Sequence, residues 1–236
     1  MEELAPGKRP SKNKLAFLST LKCTSKYEAR VRKQGATVIA GVDEAGRGCL
    51  FGPVVAAAVI LDPKYTIRGL RDSKLTTEEQ REALALRVRK HALAIAWAEV
   101  ESQVIDAINI LEASRLAMKL ALEKLVEQGH KPDHLLVDYV EVDFPSSTAR
   151  LPQLNLVHGD AICTSIAAAS IIAKVERDKL MRELAKQYPQ YDLASNKGYA
   201  SPKHLRALRD HGASPLHRRS FEPVREAMSK QGKLGF

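Results

Sequence analysis

The stretch GVDEAGRGCLFGPVVAAAVIL, residues 41–61, sets Asp43 and Glu44 side by side, follows them with Gly46-Arg47-Gly48, and then runs into a long apolar segment. The residues leading into it, TVIAGVD (37–43), are β-branched and apolar and predict a strand; PVVAAAVIL (53–61) predicts a second. Pro53 suits the start of that strand, where one backbone donor can be lost. Two adjacent carboxylates at the exit of a buried strand gain nothing for the fold, because buried charge is costly unless paired or bound. Their position therefore points to chemistry. Successive strand side chains face opposite ways. Asp43 and Glu44 are thus expected to converge only if Glu44 has left regular strand geometry, which the following glycines permit.

Working outward, SKYEARVRK (25–33) predicts a short helix stopped by Gly35, and residues 77–92 an amphipathic helix with Thr76 or Thr77 as cap. AIAWAEV (94–100) reads as a third strand, and 102–128 as helix in two pieces ended by Gly129. HLLVD (134–138) is a short apolar strand ending in an acid, 139–153 a loop with Ser146-Ser147, and LNLV (154–157) a fifth strand. From Asp160 to Lys186 the chain reads as one long helix. Ser201, Pro202 and Gly212 mark the cap, first turn and end of a later helix. Strands followed by alternating helices and strands predict an α/β fold, a mixed five-stranded sheet covered on both faces. Trp97 and the Leu-rich helices read as core.

The chain has 236 residues and a formal net charge of +9. The excess is at the ends: residues 1–35 and 197–236 each carry nine Lys/Arg against three acids. The middle is slightly acidic. Basic ends fit either a phosphate-binding surface or solvated tails. The first 23 residues are weakly periodic and read as flexible or loosely docked. No run is long enough for a membrane span and no signal-peptide core is evident, so a cytoplasmic protein is expected. Cys23, Cys49 and Cys163 are odd in number and widely spaced, which argues against a disulfide framework or a zinc site.

Four acids fall where a sheet could gather them: Asp43 and Glu44 leaving the first strand, Asp138 ending the fourth, and Asp160 after the fifth. Each alone has an ordinary structural role, Asp160 as a helix cap and Asp138 at a turn. Together they repel unless a cation lies among them. Hard oxygen donors suit Mg²⁺ or Mn²⁺, and two such ions fit phosphodiester hydrolysis. Glycines flanking Arg47 leave backbone N–H groups free to approach a sugar or phosphate. His204, His211 and His217 read as phosphate contacts or as solvated or capping residues. SIAAAS (165–170) reads as a helix face lying close on the sheet, with Lys174, Arg177 and Asp178 in surface or ion-pair contacts.

DEAGRG followed by GPVVAAAVIL resembles the signature of the prokaryotic type 2 ribonucleases H, the RNase HII family. DSK (72–74), LLVD (135–138), GDA (159–161), SIAAASIIAKVERD (165–178), KGYASPKHL (197–205) and SPLHRRSFEPV (214–224) match in the same order. The resemblance implies an RNase H-like fold with a C-terminal helical segment. It divides the chain into a basic N-terminal extension (1–35), a catalytic domain (36–190) and a helical substrate-binding segment (191–236). It implies a carboxylate set of Asp43, Glu44, Asp138 and Asp160 that holds two Mn²⁺ or Mg²⁺ ions. Gly46, Arg47 and Gly48 would read a ribose 2′-hydroxyl, Tyr199 would pack on the neighbouring deoxyribose, and Lys74 would lie near the substrate backbone. The implied substrates are RNA–DNA hybrids and duplex DNA with embedded ribonucleotides, cut to 5′-phosphate and 3′-hydroxyl ends. A monomer is expected; a sliding-clamp contact is allowed but unsupported by any motif. Cys49, Phe51, Leu75-Thr76, Tyr139 and His158 depart from the family pattern.

Overall fold

Val54–Leu61 (β2) is buried along nearly its whole length, because it is flanked by strands on both edges and covered on both faces. The structure is a computed structural model that describes residues 12–70, 73–143 and 151–231. Its five-stranded sheet has the order β3-β2-β1-β4-β5, with β1 at Ile39–Ala45, β3 at Ala92–Val100, β4 at His134–Asp138 and β5 at Gln153–Leu156. The pairs β1–β2 and β2–β3 are antiparallel; β1–β4 and β4–β5 are parallel. The sheet is mixed, as expected. Its three parallel strands end on one rim, the end at which open α/β sheets collect ligands.

Alternation along β1 divides the core. Ala40 and Val42 join the cluster built on helix α5 (Ile110–Glu127), while Ile39 and Ala45 face helix α7 (Thr164–Gln187). Ser165, Ala167, Ala168, Ala169 and Ser170 form the close-packed face of α7. Gly41 meets it: a side chain there would overlap the backbone of Ser165. Helix α3 (Glu78–His91) begins with a capping box in which Thr77 and Gln80 cap each other. Helix α4 (Ser102–Ile108) is separated from α5 by Asn109, at φ +70°, whose side chain accepts from Leu111 N and Glu112 N. That is the break expected within 102–128.

Three expectations change. The segment read as one helix from Asp160 is broken at Cys163, which is extended (φ −121°, ψ 126°) between α6 (Gly159–Ile162) and α7. The break is stabilised from the N-terminal side. Thr24 N donates to Ile162 O at 3.1 Å and Thr164 N donates to Thr24 O at 3.2 Å. Glu28, on α2 (Lys26–Lys33), accepts from Ser165 N at 2.7 Å and so caps α7 from a distant element. Second, Lys12–Thr20 is a helix, α1, whose Leu18 is 2% exposed, within the segment read as loose. Third, Trp97 is 39% exposed on the edge strand β3, with the Arg89 guanidinium 5.5 Å from its ring centre. Residues 1–11, Asp72 and the Ser146-Ser147 loop lie outside the described residues. Among the described residues no helix is long and apolar enough to cross a membrane, and Cys23, Cys49 and Cys163 are free thiols.

Candidate active site

The parallel register sets Val42 against Val137, so Asp43 and Asp138 follow on neighbouring strands at the same rim. Asp138 Oδ1 accepts from Gly159 N at 2.7 Å, which draws the start of α6 to the end of β4. Asp160 is the next residue. It is 3% exposed and lies inside the first turn of α6, with His158 as the residue before the helix. Asp43 is 4% exposed, and its Oδ1 accepts from Glu44 N at 2.7 Å. Three of the four acids therefore come to one end of the sheet from β1, β4 and α6.

Glu44 arrives differently. Regular alternation lets it converge with Asp43 only if it leaves strand geometry, but β1 stays paired with β2 through Ala45, with Glu44 opposite Ala56. The ladder keeps Glu44 in strand geometry at the same rim as Asp43. Its Oε1 lies 3.4 Å from Arg47 Nη1. Among the described residues no three His, Cys, Asp or Glu side chains form a closed ligand set. The fold brings the acids to a common rim without closing them on one point. The donors there are all carboxylate oxygens, a set that fits Mg²⁺ or Mn²⁺ and not a thiophilic ion.

The Gly46-Arg47-Gly48 turn is held from below by two arginines that are 0% exposed. Arg177 donates to Pro53 O (3.1 Å), Phe51 O (3.1 Å) and Lys197 O (2.8 Å). Gly46, at φ +96°, sits over this guanidinium, and a side chain there would collide with it. Arg218 donates to Gly52 O (3.0 Å) and Arg47 O (2.8 Å), and its own N–H donates to Leu50 O (2.9 Å). A carbonyl is a cheap partner for a buried guanidinium only when several share the charge, as here.

Tyr199 lies across from this turn. Leu50 N donates to Gly198 O at 2.8 Å and ties the two loops together. The Tyr199 ring has the Lys174 ammonium 5.9 Å from its centre, and Lys174 is paired with buried Asp178 at 2.5 Å. Burial pushes the Lys174 pKa down, against the pull of Asp178. Asp178 also lies 3.6 Å from Arg81, which donates to Ser73 O and Thr76 O and so pins the short 3₁₀ turn Ser73–Leu75. Lys74 belongs to that turn; its side chain lies outside the described atoms. His204 donates to Tyr199 O at 2.9 Å, and its other ring nitrogen is 3.1 Å from His217.

The family model for ribonuclease HII matches residues 40–224. The chain belongs to the ribonuclease HII family. It is 56% identical to a ribonuclease HII of Koribacter versatilis over 223 residues, 94% of this chain and 85% of the relative. Among solved structures it is similar to the ribonuclease H2 of Pyrococcus horikoshii OT3, at 27% identity and TM-score 0.68, covering 84% of this chain and all of that one. It is also similar to the ribonuclease HII of Archaeoglobus fulgidus solved in complex with PCNA, at 26% identity and TM-score 0.62, covering 79% of this chain and 96% of that one. As a ribonuclease H of type 2, the protein is an endonuclease for the RNA strand of RNA–DNA hybrids, and dependence on divalent metal is general to its family.

Against this background the residues that sequence reading misjudged are the buried bases. Arg177 was expected at the surface or in an ion pair. It falls instead on the buried stripe Ala169-Ala173-Arg177-Met181 of α7, all 0% exposed. That four-residue spacing was the available signal. His204 and His217, expected at phosphate, in solvent or as caps, are 0% and 1% exposed. His211 is exposed at the end of α9 (Pro202–His211). Ser201 caps that helix through His204 N, as its sequence predicts.

Proposed function

We propose that this ribonuclease HII cuts duplex DNA at single embedded ribonucleotides as well as hybrids, through two divalent ions held by Asp43, Glu44, Asp138 and Asp160. The observation that carries the reading is the meeting of Asp43, Asp138 and Asp160 at the rim of the parallel strands, beside a glycine-flanked turn. When bound, the ions supply an activated water and neutralise charge on the leaving oxygen. Hydrolysis breaks the bond from phosphorus to the 3′ oxygen, leaving a 3′-hydroxyl and a 5′-phosphate. The protein's own part is positioning. Backbone N–H groups of Gly46, Arg47 and Gly48 present a rigid edge to a 2′-hydroxyl, which DNA lacks. The buried guanidiniums beneath keep that edge from yielding.

Tyr199 offers an aromatic face to the sugar on the next nucleotide, and Lys74 contributes charge near the backbone. The basic termini supply attraction to phosphate that does not depend on sequence. The experiment is cleavage of a DNA duplex carrying one ribonucleotide, with Mg²⁺ or Mn²⁺, followed by analysis of the ends. Cleavage on the 5′ side of the ribonucleotide, with the stated ends, is expected. An enzyme that cuts long hybrids but leaves this duplex intact with either ion would sink the junction reading. Tyr199→Ala is expected to lose more activity on the single ribonucleotide than on the hybrid, with Tyr199→Phe milder.

A further inference from the structure

We propose that His204 and His217 are positioning residues for Tyr199, and that through it they set the preference for an isolated ribonucleotide over a long hybrid. The inference rests on the reading of Tyr199 given above. Its physical basis is a proton arrangement with only one solution. Ser214 N lies 2.9 Å from His217 Nδ1. A backbone amide only donates, so that nitrogen is bare. A neutral His217 then carries its proton on Nε2, which is 3.1 Å from His204 Nε2. His204 Nε2 accepts, so its proton is on Nδ1, 2.9 Å from Tyr199 O, and a carbonyl only accepts. The Tyr199 end is a carbonyl that only accepts; at the other end Ser214 N donates to Nδ1, and Ser214 Oγ, 3.0 Å from the same nitrogen, can donate to it as well. No other assignment fills every contact, and a further proton on either ring would set two N–H groups against each other.

The relay is also enclosed. Phe51 stands edge-on to His217 with ring centres 4.8 Å apart, and Tyr191 does so at 4.6 Å. Phe51 follows the Gly46-Arg47-Gly48 turn and its carbonyl receives Arg177. The two rings thus pack on the segment that carries the ribose-reading turn while bonding to the segment that carries Tyr199. Tyr199 O accepts a second bond from Ser201 N at 2.8 Å, and Tyr199 N donates to Asn196 O at 3.0 Å. Its peptide is held on both sides, which sets the direction of the ring. An isolated ribonucleotide offers one 2′-hydroxyl and one neighbouring deoxyribose, so the turn and Tyr199 must be in register together. A long hybrid offers a ribose at every step and tolerates a looser Tyr199.

The test is carried out on the full chain. Cleavage of the single-ribonucleotide duplex and of a long hybrid is compared in Tyr199→Ala, His204→Ala, His204→Asn and His217→Asn, with thermal unfolding of each. His204→Ala should lower the ratio of the two rates by about tenfold, the scale of one buried hydrogen bond. His204→Asn, whose amide N–H stands near the position of Nδ1, should recover the ratio to within about threefold. His217→Asn keeps an acceptor for Ser214 N but loses the donor to His204, and should lie between them. If Tyr199→Ala lowers the ratio and His204→Ala does not, the inference is overturned. If Tyr199→Ala leaves the ratio unchanged, the reading of Tyr199 itself fails. Should His204→Ala not fold, a wild-type ratio in His217→Asn overturns the inference on its own.

Discussion

The carboxylate rim and the floor beneath the glycine-flanked turn and the Tyr199 loop both concentrate charge, and they handle it in opposite ways. At the rim, Asp43, Asp138 and Asp160 come from separate elements; Asp43 accepts from Glu44 N and Asp138 from Gly159 N, and among the described residues the acids do not close into a cage. On the floor, Arg177 and Arg218 are wholly buried and spend their donors on carbonyls of residues 47–53 and 197. The rim is where the proposed ions would sit. The floor's guanidiniums are bonded to carbonyls, save Arg218 Nη2, which has no partner among the described residues, and what the floor fixes is backbone shape. Charge at the rim should therefore matter to rate, and charge on the floor to stability and shape.

Asp160→Asn should separate the two most sharply. It removes a charge from the rim at nearly constant volume, so cleavage of a hybrid with Mg²⁺ should fall by about 10²–10³ or more. Hybrid binding and the unfolding temperature should change little. A near wild-type rate would mean that Asp160 is a structural residue and that the contrast drawn here is wrong. Arg177→Ala is the reverse case. It strands three buried carbonyls and opens a void under Gly46, so urea unfolding should show a loss of about 3–5 kcal/mol. A stable variant with ordinary activity would show that the floor is dispensable.

The third effect is smaller and depends on pH. Burial, and for His217 also the nearness of His204, holds both rings neutral. His204 lies below the ordinary 6.5, and His217 is pushed down to about 3. The groups facing them are Tyr191, Phe51, Ser214 and, at longer range, Asp192, which pulls His204 the other way. A group whose folded pKa is depressed contributes stability that is present above its unfolded pKa and lost as pH falls toward the folded value. Unfolding midpoints should thus fall from pH 6.5 downward, by roughly 2–3 kcal/mol at pH 4.5 from His217 alone. His217→Asn should flatten that part of the curve. An unchanged slope in that variant would remove the pair from the account of acid sensitivity.

What the sequence made legible was what local chemistry decides. Thr77 and Ser201 cap their helices because a hydroxyl oxygen can reach an N–H two or three residues on. β1 and β2 follow from β-branched and small apolar runs, and Asp43, Asp138 and Asp160 from acids at strand ends. What escaped was decided by distant partners. The break at Cys163 has no glycine or proline to announce it; Thr24 and Glu28, far away in the chain, make it. The glycines after Glu44 would permit it to turn out of the strand, but the ladder to β2 keeps it in. Arg177 and His204 are polar by type and buried by place, and hydropathy cannot tell a solvated base from one surrounded by carbonyls.

The bond from Arg218 to Arg47 O joins residues 171 positions apart. A chain leaving the ribosome presents the glycine-flanked turn well before the side chain that props it. Contacts of such separation form late, since the loop they close must first be paid for in entropy. The sheet and its acids are therefore expected to assemble before the turn has set. A chain that stops short of Arg218 is thus expected to hold its sheet while the Arg47 carbonyl loses this donor.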